Sequence, residues 1–360
     1  MADYKLNYTG AQLNGLFGTV SGHTSSINSH TSRLGQHDSQ IAALTNKVDA
    51  ASGNQCVASG QYSRAEGNQT QALGEGSHAE GNLSQAEGNY SHAEGNDTTA
   101  EGYNAHSEGA NTYAEGSNSH AEGMDTSALN DYAHSEGVST TASGTASHAE
   151  GNNTTSEGNY SHSEGDGTTA SGSASHSEGK ATAATGDRAH AEGNQTQAIG
   201  KNSHAEGLKT IAEANHSHAE GDSSRATGQA SHAEGNVCVA SGGASHAEGA
   251  GATASGGSSH AEGEFTTASG ENSHAEGYST EAKGDHSHAD GEGTITNNVG
   301  EHACGRFNSS SHGGTDATTT VFSVGIGTGT GSRKNGLEVM ANGDIYIYKN
   351  GQRVLLQSLI

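Results

Sequence analysis

Proline is absent from all 360 residues, and so is tryptophan. Average usage would place about 18 prolines in a chain of this length. Proline cannot donate a ladder hydrogen bond, so a chain built from stacked strands has reason to exclude it. Apolar residues are also scarce, at 29%, with aromatics at 4%. An ordinary globular domain is nearly half apolar, so this chain cannot bury one large core, and composition alone would point to disorder. Positive charge is thin: 15 Lys and Arg face 41 Asp and Glu, for a net charge of −26. That balance argues against a nucleic-acid partner. No apolar run approaches the roughly 20 residues of a membrane-spanning helix. The opening MADYKLNYTG has no signal-peptide apolar region. Cys56, Cys238 and Cys304 make no disulfide framework. The expectation is synthesis in a reducing cytoplasm, with free thiols.

What the chain has instead is glycine, 55 of them, and a repeat. The stretch Ser77 to Gly95, SHAEGNLSQAEGNYSHAEG, returns to its start after 14 residues and imperfectly after seven. Histidine stands at 78, 92, 106 and onward to 302 without a gap, and Arg64 holds the same phase one repeat earlier. Two residues after each of these stands Glu, from Glu66 to Glu276; Asp290 and Cys304 end the series. A fixed period marks a stacked architecture in which each unit buries its neighbour's face. Composition divides the chain into residues 1–52, 53–305 and 306–360.

Both halves of the repeat follow Ser/Thr-x-Ala-x-Gly and then two residues. This alternation predicts a short strand with Ser, Ala and Gly on one face and the two variable residues on the other. Gly and the following residues, often Asn or Asp, supply the turn. Two strands and two turns make one coil of a parallel solenoid, with coils about 4.8 Å apart. An interior of Ser, Ala and Gly buries little apolar area, too little to offset the entropy of ordering the backbone. An obligate homo-oligomer is therefore expected, with a trimer as the natural choice.

The first segment says the same. Leu13, Val20, Ile27, Leu34, Ile41 and Val48 are spaced by sevens, and three residues after each stand Leu16, His23, His30, His37, Leu44 and Ala51. This is a coiled-coil heptad with three polar d layers. Gly15, Gly18, Gly22 and Gly35 weaken a helix, so its better part is expected over about 24–51. Polar d residues fix register and oligomer state; His30 and His37 are also candidates to hold an ion on the axis.

The array over 56–305 resembles the head repeats of trimeric autotransporter adhesins, 14-residue left-handed parallel β-rolls with a Ser-Val-Ala-Ile-Gly half-repeat. The resemblance implies a trimer in which the Val and Ile positions face neighbouring subunits. Here those positions hold His78 and Glu80, His92 and Glu94, His148 and Glu150, His204 and Glu206, His260 and Glu262. The resemblance thus implies an interface ladder pairing imidazole with carboxylate across subunits. The second-half positions vary (Gln71, Tyr113, Ile211, Arg225, Glu281), as expected of a solvent face.

Histidine also ligates metals and titrates near neutrality. His216 with His218, His286 with His288, and His302 with Cys304 are the candidate metal pairs, although His216 and His286 fall at turn positions. Stacked histidines make the array sensitive to pH, with a sign set by whether His–Glu attraction or His–His repulsion wins. Repetition leaves no unique triad, and no phosphate-loop or zinc-protease motif occurs, so an enzyme is not expected, and neither is a cofactor. The second-half face is too irregular for ice binding.

Residues 306–360 read as strands at Thr318–Ile326, Leu337–Met340, Asp344–Tyr348 and Arg353–Leu356, with Asn342-Gly343 and Asn350-Gly351 as hairpin turns. The end is locally basic, and Arg333, Lys334, Lys349 and Arg353 are the receptor-binding candidates. It is expected to act as a cap, a folding nucleus or a binding tip. The stretch VFSVGIGTGTGSRKNGLEVMANGDIYI (321–347) and the junction His302 to Asn308 resemble the C-terminal regions of tail-fibre and baseplate-associated phage proteins. The start ADYKLNYTGAQLNGLFGTV is similar to their attachment segments. These resemblances imply a tail fibre of a phage or of a phage-tail-like contractile particle. It would be made in the host cytoplasm and released with the particle. It would attach by its N-terminus to a tail or baseplate protein and meet a host-surface glycan or protein. A bacterial surface adhesin is the alternative; an autotransporter would need a signal peptide and a membrane anchor.

Overall fold

The computed structural model describes residues 9–52, 55–309, 319–350 and 352–359. The chain falls into two units, Met1–Gly123 and Met124–Ile360.

The first unit opens with one helix, Gly10–Ser52. Its start is a reciprocal cap: the Thr9 amide donates to Gln12 Oε1 at 2.9 Å, and the Gln12 amide reaches Thr9 Oγ1 at 3.4 Å. This is the capping box of a Thr-x-x-Gln sequence. The four glycines do not interrupt the helix, so the expected loose first half is not seen. Hydroxyls add local bonds, as from Thr19 to the Gly15 carbonyl and Thr31 to the Ile27 carbonyl. The heptad a positions stand open on this single helix: Val20, Ile27, Leu34 and Ile41 are 58 to 65% exposed. Leu13, Leu16, Val48 and Ala51 have side chains outside the described set.

Both units then build parallel β-solenoid from 14-residue coils. Five five-residue strands begin at Arg64, His78, His92, His106 and His120 in the first unit, and thirteen equivalents begin from His134 to His302 in the second, those at His218 and His288 shortened to two residues. A typical coil has a five-residue strand such as His78–Asn82 and a two-residue strand such as Gln85–Ala86. Each pairs in parallel with its equivalent 14 residues on, His78 with His92 and Gln85 with Thr99. The architecture is mainly β, as the alternation predicts.

The interior is narrow. Ala79 and Ala93 from the long strands and Ala86 and Ala100 from the short ones are fully buried. Ser77 and Ser91 turn their hydroxyls to the carbonyls of Gly74 and Gly88 at 2.8 and 2.7 Å, which satisfies donors that burial would otherwise leave unpaired. Cys56 and Cys238 are buried cysteines at inward positions that most other coils fill with Ser or Thr.

The glycines of the two halves play different parts. Gly88 is buried, but Gly81 is exposed, so the first-half glycine does not face the core as expected. It has φ +109, and a Cβ there would stand 2.1 Å from the Gly95 carbonyl oxygen. Only glycine fits this position, because both the backbone angle and the close coil above exclude a side chain. Every seventh residue, such as Leu83, Tyr90 and Asp97, adopts the left-handed conformation at the two corners of the coil.

In the second unit the strand Thr320–Ile326 adds in parallel to the last long strand, His302 opposite Phe322. It then starts an antiparallel meander through Asn335–Met340, Ile345–Lys349 and Gln352–Leu355. These bounds lie within a few residues of the predicted ones. Buried polar side chains lock the join. Asn308 is fully buried and pairs like a strand with both the amide and the carbonyl of Ile295, at 2.8 and 2.9 Å. Glu301, also fully buried, takes the place of an inward Ser, and its Oε2 accepts the amides of Asn297 and Asn298 at 2.9 and 3.0 Å.

The histidine and glutamate ladder as candidate functional site

Within each unit, in-register pairing puts the repeat histidines directly over their equivalents. The imidazoles of His78 and His92 stack with centroids 4.9 Å apart and planes 8° from parallel. In the second unit, His134 to His302 form such a stack at 4.6 to 4.9 Å. Phe322 meets His302 edge-on at 5.5 Å and ends it. Register thus creates an imidazole column within one chain, a consequence of a 14-residue period that sequence reading assigned to contacts between chains.

Glutamate forms a parallel column two residues along. His148 Nε2 lies 3.6 Å from Glu150 Oε2, His204 Nε2 3.6 Å from Glu206, and His78 Nε2 3.7 Å from Glu80. These contacts are on one strand of one chain. Toward the end of the array the partner changes: Glu248 faces both His246 and His260 at 3.8 Å, and His274 turns to Glu262 of the preceding coil at 3.5 Å. His302 faces Asp290 at 3.8 Å. All these distances exceed a normal hydrogen bond. The Nε2 atoms of His78, His92, His148, His204 and His260, among others, are buried with no hydrogen-bond partner. The side chains themselves remain about one-third exposed, as for His204 at 35% and Glu206 at 37%.

Stacking shapes the charge. Burial, then the His134 and His162 rings, push His148 down to about 4. His176, His190 and His218 shift the same way, first by burial and then by neighbouring imidazoles. Glu150 rises to about 7 because it shares hydrogen bonds with Glu164 and Glu136, and Glu178 rises to about 7 chiefly through Glu164. Glu164, as their shared acceptor, is lowered. Over this stretch proton affinity rises at Glu150 and Glu178 and falls at Glu164 and at the His148 and His176 rings. The carboxylates and the exposed glycines beside them line open grooves, Glu66 to Gly123 in the first unit and Glu234 to Gly291 in the second.

The other candidates are placed as follows. His216 and His286 are exposed at left-handed corners, φ 60 and 58, apart from the column that holds His218 and His288. Cys304 is half-buried in the glutamate column, its thiol raised by burial and then by Asp290. His30 and His37 are exposed on the helix.

Two of the basic tip residues are engaged inside the fold. Arg333 donates to the Gly293 carbonyl at 2.5 Å and lies over the Phe307 ring. Arg353 Nε donates to Glu338 Oε2 at 2.8 Å, and its guanidinium lies 3.4 Å from the Tyr346 ring centroid. Lys334 is half-buried and Lys349 exposed. No sequence signal marked Glu338 as the fully buried partner that takes up Arg353.

Two stretches, residues 135–161 and 247–273, match the family described as the YadA head domain repeat. Both lie on coils of the ladder. The match supports an adhesin-like β-roll. No match to the chain was found among curated proteins.

Proposed function

We propose that this chain is the subunit of a homotrimeric adhesive fibre of a phage tail or phage-tail-like contractile particle. Its N-terminal segment attaches to a tail or baseplate protein, and its solenoid and C-terminal sheet meet a host-surface glycan or protein. The observation that carries the adhesive reading is the pair of YadA head repeats set on this solenoid. The trimer rests on the helix stripe: Val20, Ile27, Leu34 and Ile41 recur by sevens and stand open to solvent. Such a stripe is stable in water only against equivalent stripes. The mechanism is multivalent: three copies of each weak site act together, so avidity exceeds single-site affinity. With Arg333 and Arg353 engaged internally, the exposed Lys349 is the stronger of the remaining basic contacts.

The head-repeat match favours a second reading, a bacterial surface adhesin. Labelled full-length protein offered to a panel of bacterial cells and to eukaryotic cells separates the two. Saturable binding to bacterial strains supports the tail fibre. Binding confined to eukaryotic cells or their matrix supports the adhesin. Binding to neither overturns the adhesive reading.

A further inference from the structure

We infer that the ladder is a metal-binding column in which successive His–Glu–His sets hold first-row divalent ions, Zn2+ or its neighbours, at alternate coils. The inference does not depend on the adhesive reading.

The argument begins with distance. His190 Nε2 stands 3.7 Å from Glu192, His218 Nε2 3.6 Å from Glu220, and His232 Nε2 3.4 Å from Glu234. A hydrogen bond between such groups would be about 2.7–3.2 Å. Two ligands each about 2.1 Å from one ion, at the tetrahedral angle, stand about 3.4 Å apart. The gap is too wide for the bond a His–Glu pair would make and close to the spacing of two ligands on one ion.

The second observation is the state of the ring nitrogens. Nε2 of His190, His204, His218 and His232 is shut off from solvent and has no hydrogen-bond partner. A buried nitrogen left unpaired is costly. Ligation through Nε2 resolves it, with the ring proton on Nδ1. Each set also closes: in His190, Glu192 and His204, and again in His218, Glu220 and His232, the three ligand atoms all lie within 4.8 Å of one another. Two ligands on one ion stand at most about 4.2 Å apart, so the rings, stacked 4.9 Å apart at His190–His204 and 4.6 Å apart at His218–His232, must turn their Nε2 atoms toward each other to share it. Two imidazoles and a carboxylate are a donor set suited to Zn2+ and to Cu2+ or Ni2+, with the fourth position left to water.

The register dictates occupancy. His204 and His218 each belong to two sets, because His204, Glu206 and His218 also close. One Nε2 ligates one ion, so filling the sets at His190–His204 and His218–His232 excludes the set between them. The column therefore takes at most one ion for every two coils, with ions about 10 Å apart at twice the strand spacing. The exposed corner residues His216 and His286 take no part.

The test uses the full chain freed of metal by EDTA and titrated with CoCl2, read by the visible spectrum of tetrahedral cobalt and by bound metal after dialysis. Saturable binding with that spectrum, reversed by ZnCl2, is expected. The variant His190→Gln, His204→Gln, His218→Gln, His232→Gln is expected to bind two fewer ions per chain. Glu192→Gln with Glu220→Gln keeps the imidazoles and is expected to weaken those two ions at least tenfold. His216→Gln with His286→Gln is expected to change nothing. A parent protein that binds no cobalt in tetrahedral form overturns the inference, as does unchanged stoichiometry in a folded four-histidine variant. If that variant fails to fold, undiminished affinity in the glutamate pair variant overturns it.

Discussion

Arg353 donates its Nε to Glu338 at 2.8 Å, and Glu338 has no solvent exposure at all. The carboxylate also accepts from Thr320 at 3.1 Å and faces Asn335 at 3.4 Å. Truncating one partner of a buried pair leaves an uncompensated charge, which costs about 3–5 kcal/mol. Arg353→Ala is therefore expected to destabilise the C-terminal meander by that order, seen as early loss of hydrogen-exchange protection over Thr320–Met340. Arg353→Leu combined with Glu338→Leu is expected to recover much of it. A single variant as protected as the parent would contradict the assignment.

Glycine in this fold is two different residues. A Cβ on Gly81 meets the Gly95 carbonyl oxygen at 2.1 Å and needs φ +109, whereas a Cβ on Gly243 meets nothing within 4 Å. Gly81→Ala is expected to lower the melting temperature sharply, because the stacked backbone must part. Gly243→Ala, free of strain, is expected to raise stability by about 0.4–1 kcal/mol through the unfolded chain's lost entropy. Equal effects of the two would refute the stacked-coil register.

The ladder also sets a pH profile, to be read in EDTA so that metal does not intervene. His148 is held at about 4 against an ordinary 6.5. Below 6.5 the unfolded chain takes up a proton that the folded chain refuses, so this contribution is lost as pH falls toward 4. Glu150 and Glu178 are held at about 7 against an ordinary 4.5. Their contribution is full below 4.5 and is lost as pH rises through 7. The melting temperature is expected to peak between these limits and to fall on both sides. Glu150→Gln with Glu178→Gln is expected to flatten the alkaline limb and spare the acid one. A melting temperature constant from pH 4 to 8 would contradict this.

The helix stripe gives a sharper prediction for assembly. Ile27 and Leu34 are 64% and 65% exposed on the single chain. Buried between helices, each would contribute about 1.5–3 kcal/mol. Ile27→Asp with Leu34→Asp is expected to shift the protein toward smaller species on dilution, measured by sedimentation velocity. Concentration-independent behaviour identical to the parent would show that the stripe has no partner.

Much of this architecture was legible because it is periodic. The 14-residue return of His, Ala, Glu and Gly fixed the coil, and alternation placed Ala79 and Ala86 inside. Three things were not legible. Gly81 and Gly88 occupy equivalent places in the half-repeat, yet only the second is buried; the long strand runs on through Gly81 to Asn82, whereas the short strand stops at Ala86, before Gly88. The imidazole column arises from register between coils, which composition does not express. Arg333 read as a free cation, but its partner is the carbonyl of Gly293, 40 residues away, and only the fold brings the two together. The Thr9–Gln12 cap was a local signal that was there to be read.

The most direct test of the central claim is the solution mass of the full chain by light scattering. A folded species of three times 36.1 kDa is the predicted result, and it places three helix stripes and three ladders in one particle. A folded, stable species of 36.1 kDa would contradict the account, because a single chain would then be holding both the ladder and an open heptad stripe in water.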